Sequence, residues 1–168
     1  MRRTWAPRGK TPLLHQIGRR HGKVSAIAAL TIPPRRQRVG LYFSLHTGKN
    51  ITAPRVVSFL RSLRRQLQRT VFIVWDRSLT HRAGTVNRLF VQPDKLQRFF
   101  LPPYAPEINP VEMLWSYLKS NPLANYAPST PQKLSGTTRY HAAKIRHRPG
   151  LLRSFLYATP LFLPKIGH

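Results

Sequence analysis

The order of apolar segments predicts an α/β fold. Short runs rich in β-branched and apolar residues indicate strands at 24–32, 38–45, 71–75 and 96–101. Amphipathic spacing indicates a helix at 53–68, between the second and third strands, and another at 110–120, after the fourth strand. Because a helix between two strands usually forms a crossover that returns to the same sheet, this alternation predicts a sheet flanked by helices.

Each element has its own local signal. Pro33-Pro34 predicts a turn between the first two strands. The 53–68 segment places apolar residues at helical spacing, with arginines opposite them: Val56, Val57, Leu60, Leu63 and Leu67. The continuous apolar run at 71–75 is typical of a strand that is buried on both faces. Shorter or more basic segments predict further helices at 85–90, 131–145 and 149–157.

Composition excludes several classes of protein. The 168 residues include 29 Lys and Arg, 4 Asp and Glu and no cysteine, so that the formal charge is +25. The absence of cysteine excludes disulfide scaffolds, thiolate zinc sites and a cysteine nucleophile. No apolar stretch approaches the ~20 residues that cross a bilayer, and the basic N-terminus lacks the apolar core of a signal peptide. We therefore expect a soluble, cytoplasmic protein.

The excess of positive charge predicts a polyanionic partner. Arginine accounts for 21 of the 29 basic residues, and its planar guanidinium group matches phosphate oxygens bidentately. Basic residues occur along the whole chain, and acidic residues hardly interrupt them. Nucleic acid is the favoured partner; a membrane surface is the weaker alternative, because the apolar faces have the spacing of core faces.

The few carboxylates occupy informative places. Asp76 closes the 71–75 run, at the strand end where active sites collect in α/β sheets, although it could equally cap the next turn. Glu112 follows Asn109-Pro110, where it could complete a capping box with Asn109 as the N-cap. The 35 residues between Asp76 and Glu112 hold one further strand, so the two carboxylates could converge. Convergent carboxylates in a basic groove suit a pair of Mg²⁺ ions that acts on a phosphodiester.

Two segments carry a resemblance to a known family. They are Val74-Trp75-Asp76-Arg77 with His81, and Leu101-Pro-Pro-Tyr-Ala-Pro-Glu-Ile-Asn-Pro-Val-Glu112 with Trp115 and Lys119. Together they resemble the catalytic part of insertion-sequence transposases of the mariner superfamily, which are DDE endonucleases. The resemblance implies a ribonuclease H-like mixed sheet flanked by helices, and metal-dependent DNA strand cleavage and strand transfer. Its implied partners are transposon ends and target DNA, in a bacterial, nucleoid-associated protein.

The same resemblance implies roles for particular residues. Asp76 and Glu112 correspond to the second and third acidic residues of the triad, which would hold Mg²⁺ or Mn²⁺. Contacts to DNA are implied for Arg77, His81, Arg82 and Lys119. From the residues alone, His81 could contact phosphate, position Asp76 or make only a local hydrogen bond.

The family's first Asp has no counterpart in this sequence. It lies on a strand before the Trp-Ala-Pro-Arg-Gly motif, which here begins at Trp5. The resemblance therefore implies an N-terminally truncated chain whose sheet lacks its first, central strand and which is inactive alone. An N-terminal transposase fragment or a homodimer would be its partner. We expect residues 1–122 to form the partial catalytic domain and residues 123–168 a basic helical extension. The alternatives are a non-catalytic DNA-binding protein and an inactive remnant of a mobile element.

Overall fold

The computed structural model of the protein describes residues 22–34, 38–92 and 94–161. The motif beginning at Trp5 lies outside them. The strands are β1 (Val24–Thr31), β2 (Gly40–Thr47), β3 (Val71–Trp75) and β4 (Leu96–Phe100). The helices are α1 (Ala53–Leu67), α2 (Leu79–Arg82), α3 (Gly84–Asn87), α4 (Pro110–Ser120), α5 (Pro131–Arg146) and α6 (Pro149–Tyr157). No helix in this part of the chain is long and apolar enough to span a membrane.

The strands form two separate pairs. β1 and β2 are antiparallel, with a register that runs from Val24 opposite Thr47 to Thr31 opposite Gly40. β3 and β4 are parallel, and Val71 lies opposite Leu96. Among the described residues no strand joins the two pairs. The α/β fold class is confirmed, with two strand pairs that pack on helices.

The first half of the fold packs on α4, α5 and α6. Leu41 of β2 is buried against Leu114 and Leu118 of α4 and against Leu152 of α6. The outer side of β2 is covered by α5, and Arg146 Nε donates a hydrogen bond of 3.0 Å to the carbonyl oxygen of Leu41. This edge of the sheet is therefore occupied by a side chain.

Replacement of Leu114 with alanine is expected to lower the free energy of unfolding by about 2–5 kcal/mol. The side chain is fully buried, so its removal loses transfer free energy and leaves a cavity. Leu79→Ala is the matched control, because Leu79 is highly exposed and its loss should cost less than about 0.5 kcal/mol. Urea denaturation followed by circular dichroism measures both, and similar midpoints for the two variants would contradict this core.

The second half packs on one face of α1. Val56 and Leu60 of α1 contact Trp75 of β3, and Ile27 of β1 and Ile73 of β3 pack against the same cluster. α1 therefore lies beneath strands of both pairs. The amphipathic spacing explains this arrangement, since the arginines of α1 remain on its outer face.

The prediction that the 71–75 strand is buried on both faces is wrong. Phe72 and Val74 are 61% and 53% exposed, and the Phe72 ring stacks on the equally exposed Phe99 of β4 at 6.4 Å between ring centroids. The helices α1 and α3 cover only the face that holds Ile73 and Trp75. An apolar sheet face therefore stands open to solvent in the described part of the molecule.

Candidate active site

Asp76 follows β3 directly and is held in place by its neighbours. Its Oδ1 accepts a hydrogen bond of 2.9 Å from the backbone N–H of Ser78, a local turn that leads into α2. The same oxygen lies 2.7 Å from His81 Nδ1. The side chain is 57% exposed, and its Oδ2 makes no hydrogen bond with the described residues. Asp76 thus forms the predicted local turn and still presents a carboxylate oxygen to solvent.

His81 is held from two directions. Its ring stacks on buried Trp75, with 4.3 Å between centroids and 5° between planes. Because a carboxylate oxygen only accepts, His81 Nδ1–H is the donor to Asp76, and Nε2 makes no hydrogen bond with a described residue. The hydrogen bond between His81 Nδ1 and Asp76 Oδ1 is local in sequence, and it also restrains the side chain of Asp76. The indole N–H of Trp75 is buried without a partner in the described structure.

Glu112 lies in the first turn of α4, which begins as the sequence predicts. Asn109 is the N-cap, and its side chain accepts a hydrogen bond of 3.1 Å from the N–H of Val111. The N–H of Asn109 donates to the carbonyl oxygen of Pro106 at 3.0 Å, so Glu112 does not complete a capping box. The Glu112 carboxylate is exposed and makes no hydrogen bond or ion pair with any described residue.

The two carboxylates follow the carboxyl ends of neighbouring parallel strands. The N–H of Leu101 donates to the carbonyl oxygen of Trp75 at 2.8 Å, which extends the β3–β4 pairing to the residue before Asp76. The chain then passes through 102–109 into α4. Asp94 precedes β4 at the opposite end of the strands. Carboxylate oxygens fit a hard divalent cation, but the described residues contain no group of three or more potential His or carboxylate ligands.

Basic groups surround this edge without carboxylate partners. Arg77 Nε donates to the carbonyl oxygen of Leu101 at 3.4 Å, and its guanidinium lies 5.9 Å from the ring centroid of Phe100. Arg82 ends α2 and is exposed. Lys119 lies two turns after Glu112 on the same face of α4. The only ion pair between described residues is that of His81 with Asp76.

The positive field also acts on a histidine elsewhere in the fold. Burial, followed by the charges of Arg55 and Lys49, lowers the pKa of His46 at the end of β2. Burial and the two nearby cations thus both disfavour a positive charge on the His46 ring.

Tyr104 is a feature that the sequence reasoning missed. Its φ is +58°, a left-handed backbone conformation that is costly for a residue with a Cβ atom, and its side chain is fully exposed. It lies between the end of β4 and the start of α4, in the connection that carries Glu112. The Pro-Pro-Tyr string marks this segment in the sequence, but the full exposure of the ring arises only in the folded chain.

The mixed α/β fold, with helices packed on both strand pairs, belongs to the ribonuclease H-like class. Residues 1–134 match the family described as DDE superfamily endonuclease, and the chain belongs to that family. The fold is similar to that in "Structure of Mos1 transposase catalytic domain and Raltegravir with Mg", with a TM-score of 0.51 and 14% identity over 80% of this chain and 82% of that one.

Two further similarities are more limited. "Crystal structure of the Mos1 Strand Transfer Complex" aligns with a TM-score of 0.49 and 14% identity, covering 94% of this chain and 49% of that one. "Uncharacterized protein y4pE/y4sA" of Sinorhizobium fredii is 48% identical over 33 residues, which are 20% of this chain and 24% of that protein. The match thus spans about a quarter of that curated relative. Family membership places the chain in a superfamily described as endonucleases.

Proposed function

We propose that this protein is a DDE transposase catalytic domain that cleaves DNA strands and joins them to target DNA. The observation that carries the proposal is that Asp76 directly follows β3, while Glu112 lies in the first turn of the helix that comes after the neighbouring parallel strand β4. These are two of only four acidic residues in a chain of charge +25. Because acidic residues are so few, their presence at these two positions favours a role in metal binding over a role in solubility.

Asp76 and Glu112 would hold Mg²⁺ or Mn²⁺, the divalent ions that carboxylate oxygens suit. The bound ions would activate the attacking oxygen and stabilise the leaving oxygen of a phosphodiester. His81 and the N–H of Ser78 fix Oδ1 of Asp76, which leaves Oδ2 for the metal. The free Nε2 of His81 and the cations Arg77, Arg82 and Lys119 would orient the DNA phosphates.

A third carboxylate would come from a strand inserted between β1 and β3. Because the carbonyl of Trp75 bonds to β4, alternation turns the backbone groups of Phe72 and Val74 toward the other edge of β3. A strand added parallel to β3 would end beside Asp76, and its side chains on the exposed face would lie next to Phe72 and Val74. The proposed donor is a transposase segment from outside the described residues; a second copy of this chain is the competing source.

Nicking of a labelled duplex, with and without metal, tests the proposed function. Cleavage that requires both the added strand segment and Asp76 supports it. A non-catalytic DNA-binding role is the second candidate, and the incomplete ligand set of the described residues favours it. If the protein only binds DNA, binding is observed and no cleavage occurs under any of these conditions.

The proposed function extends to domain organisation and location. The described part of the 123–168 extension packs on the half that contains β1, β2 and α4, since Ile145 and Phe155 share the cluster of Leu41. We propose that it stabilises residues 1–122 as part of one domain. Binding to DNA without sequence preference would keep the protein on the bacterial nucleoid.

Tyr104→Ala is expected to weaken binding to DNA with an unpaired end by about 5- to 100-fold. A free aromatic ring beside the edge offers a surface on which an unstacked base can stack, typically worth about 1–3 kcal/mol. Tyr104→Phe is the matched control, because it keeps the ring and the backbone conformation. Quenching of 2-aminopurine at the unpaired position measures stacking, and equal quenching by the wild type and the alanine variant would contradict the role.

A further inference from the structure

We propose that a cleft between α1 and the segment after α3 binds the phosphate backbone of DNA, at the end of the strands remote from Asp76. The cleft has a volume of about 500 Å³. Arg61 and Arg64 of α1 line one side and Arg88 lines the other. Apolar side chains of Leu89 and Leu96 form part of its lining. The site is thus a concave surface with three guanidinium groups around apolar side chains.

The three guanidinium groups have no compensating partner. None of them makes a hydrogen bond or ion pair with a described residue, and no carboxylate lines the cleft. Arg61 and Arg64 lie three residues apart on one helix face, where like charges repel. Such a cluster is stabilised when an anion enters it. Phosphate suits the site, since guanidinium groups bind its oxygens bidentately.

Helix electrostatics explain only part of this arrangement. Arg64 lies in the last turn of α1, where a cation interacts favourably with the helix dipole. Arg61 lies one turn earlier, and Arg88 belongs to the separate turn Arg88–Phe90. Their convergence with Arg64 on one cleft needs another cause, and a polyanion supplies it.

The position of the cleft favours a duplex that extends beyond the active edge. β3 runs from Val71, near the cleft, to Trp75, beside Asp76, and this length of extended chain is about 13 Å. At about 3.4 Å per base pair, that length corresponds to roughly four base pairs. One duplex could therefore touch both sites. The cleft does not depend on metal or on the carboxylates, and binding there stands apart from the proposed chemistry.

The test compares two triple variants of the full chain that remove the same charge. R61Q/R64Q/R88Q removes the three positive charges that line the cleft, whereas K133Q/R139Q/R148Q removes three exposed cations from α5 and the start of α6. Glutamine preserves helix propensity at the helical positions. Fluorescence anisotropy with a 20-base-pair duplex is measured between 50 and 200 mM salt. We expect the cleft triple to reduce the salt slope by about 2–3, and the control triple by less than 1.

A second measurement maps contacts in unaltered residues. Bound duplex should protect Arg61, Arg64 and Arg88 from phenylglyoxal, as read by mass spectrometry, and should leave Arg139 reactive. The same protection is expected for D76A/E112A, so a failure of the catalytic proposal leaves this result unchanged. Equal losses for the two triples, or modification of the cleft arginines that DNA does not slow, would overturn the site. Protection by a polyanionic peptide but not by DNA would also overturn it.

Discussion

The 168-residue chain alone is expected to give no cleavage of a labelled duplex above background with either Mg²⁺ or Mn²⁺. Asp76 contacts His81, but no group of three or more potential His or carboxylate ligands forms among the described residues, so Glu112 does not complete one with them. A cation pair that lacks a bridging carboxylate loses a ligand and part of the negative charge that offsets repulsion between the ions. The surrounding arginines add to this repulsion.

Addition of a transposase segment that forms the inserted strand, with a carboxylate at its end, should restore cleavage. In the restored complex, Asp76→Ala and Glu112→Ala should each lower the rate by at least about 100-fold, since even indirect partners of a metal ligand are worth roughly 10- to 100-fold. Asp94→Ala is the control, because Asp94 lies at the other end of the strands. Strong metal-dependent cleavage by the 168-residue chain without the added segment would show that two carboxylates suffice for metal binding and cleavage.

DNA binding by the chain should fall steeply with salt. If six or more phosphates are contacted, the slope of log affinity against log salt is on the order of −5 or beyond. Affinity then drops about 1,000-fold between 50 and 200 mM salt. The reason is release of counterions by a protein with a charge of +25. Isotherms for two duplexes of unrelated sequence check the expectation; flat salt dependence, or a strong preference for one duplex, would contradict it.

The sequence predicts elements well where the signal is local. α4 has the predicted bounds because Asn109 caps it and Pro110 suits its first position. Asp76 and Glu112 occupy the predicted strand end and first helical turn, while their chemical roles stay a prediction. α2 was not foreseen, since its four residues begin from the turn at Asp76 rather than from a periodic apolar pattern.

Features that depend on partners distant in sequence could not be predicted. The apolar run of β3 is the same whether one face of the strand or both faces are covered. The sequence alone therefore does not predict that Phe72 and Val74 are exposed. The stack of His81 on Trp75 depends on the course of the loop between them. The cleft arginines come from α1 and from the turn after α3, which meet only in the folded chain.

The hydrogen bond from Arg146 to Leu41 limits how this protein can assemble. A strand that approaches the outer side of β2 meets α5 and a carbonyl that is already occupied. Recruitment to this pair is therefore restricted to the side of β1. If the strand added to β1 also pairs with β3, as proposed above, no edge of this pair is left on which further copies could add. Such one-sided closure favours a complex of fixed stoichiometry, which sedimentation of the protein with its strand donor would resolve.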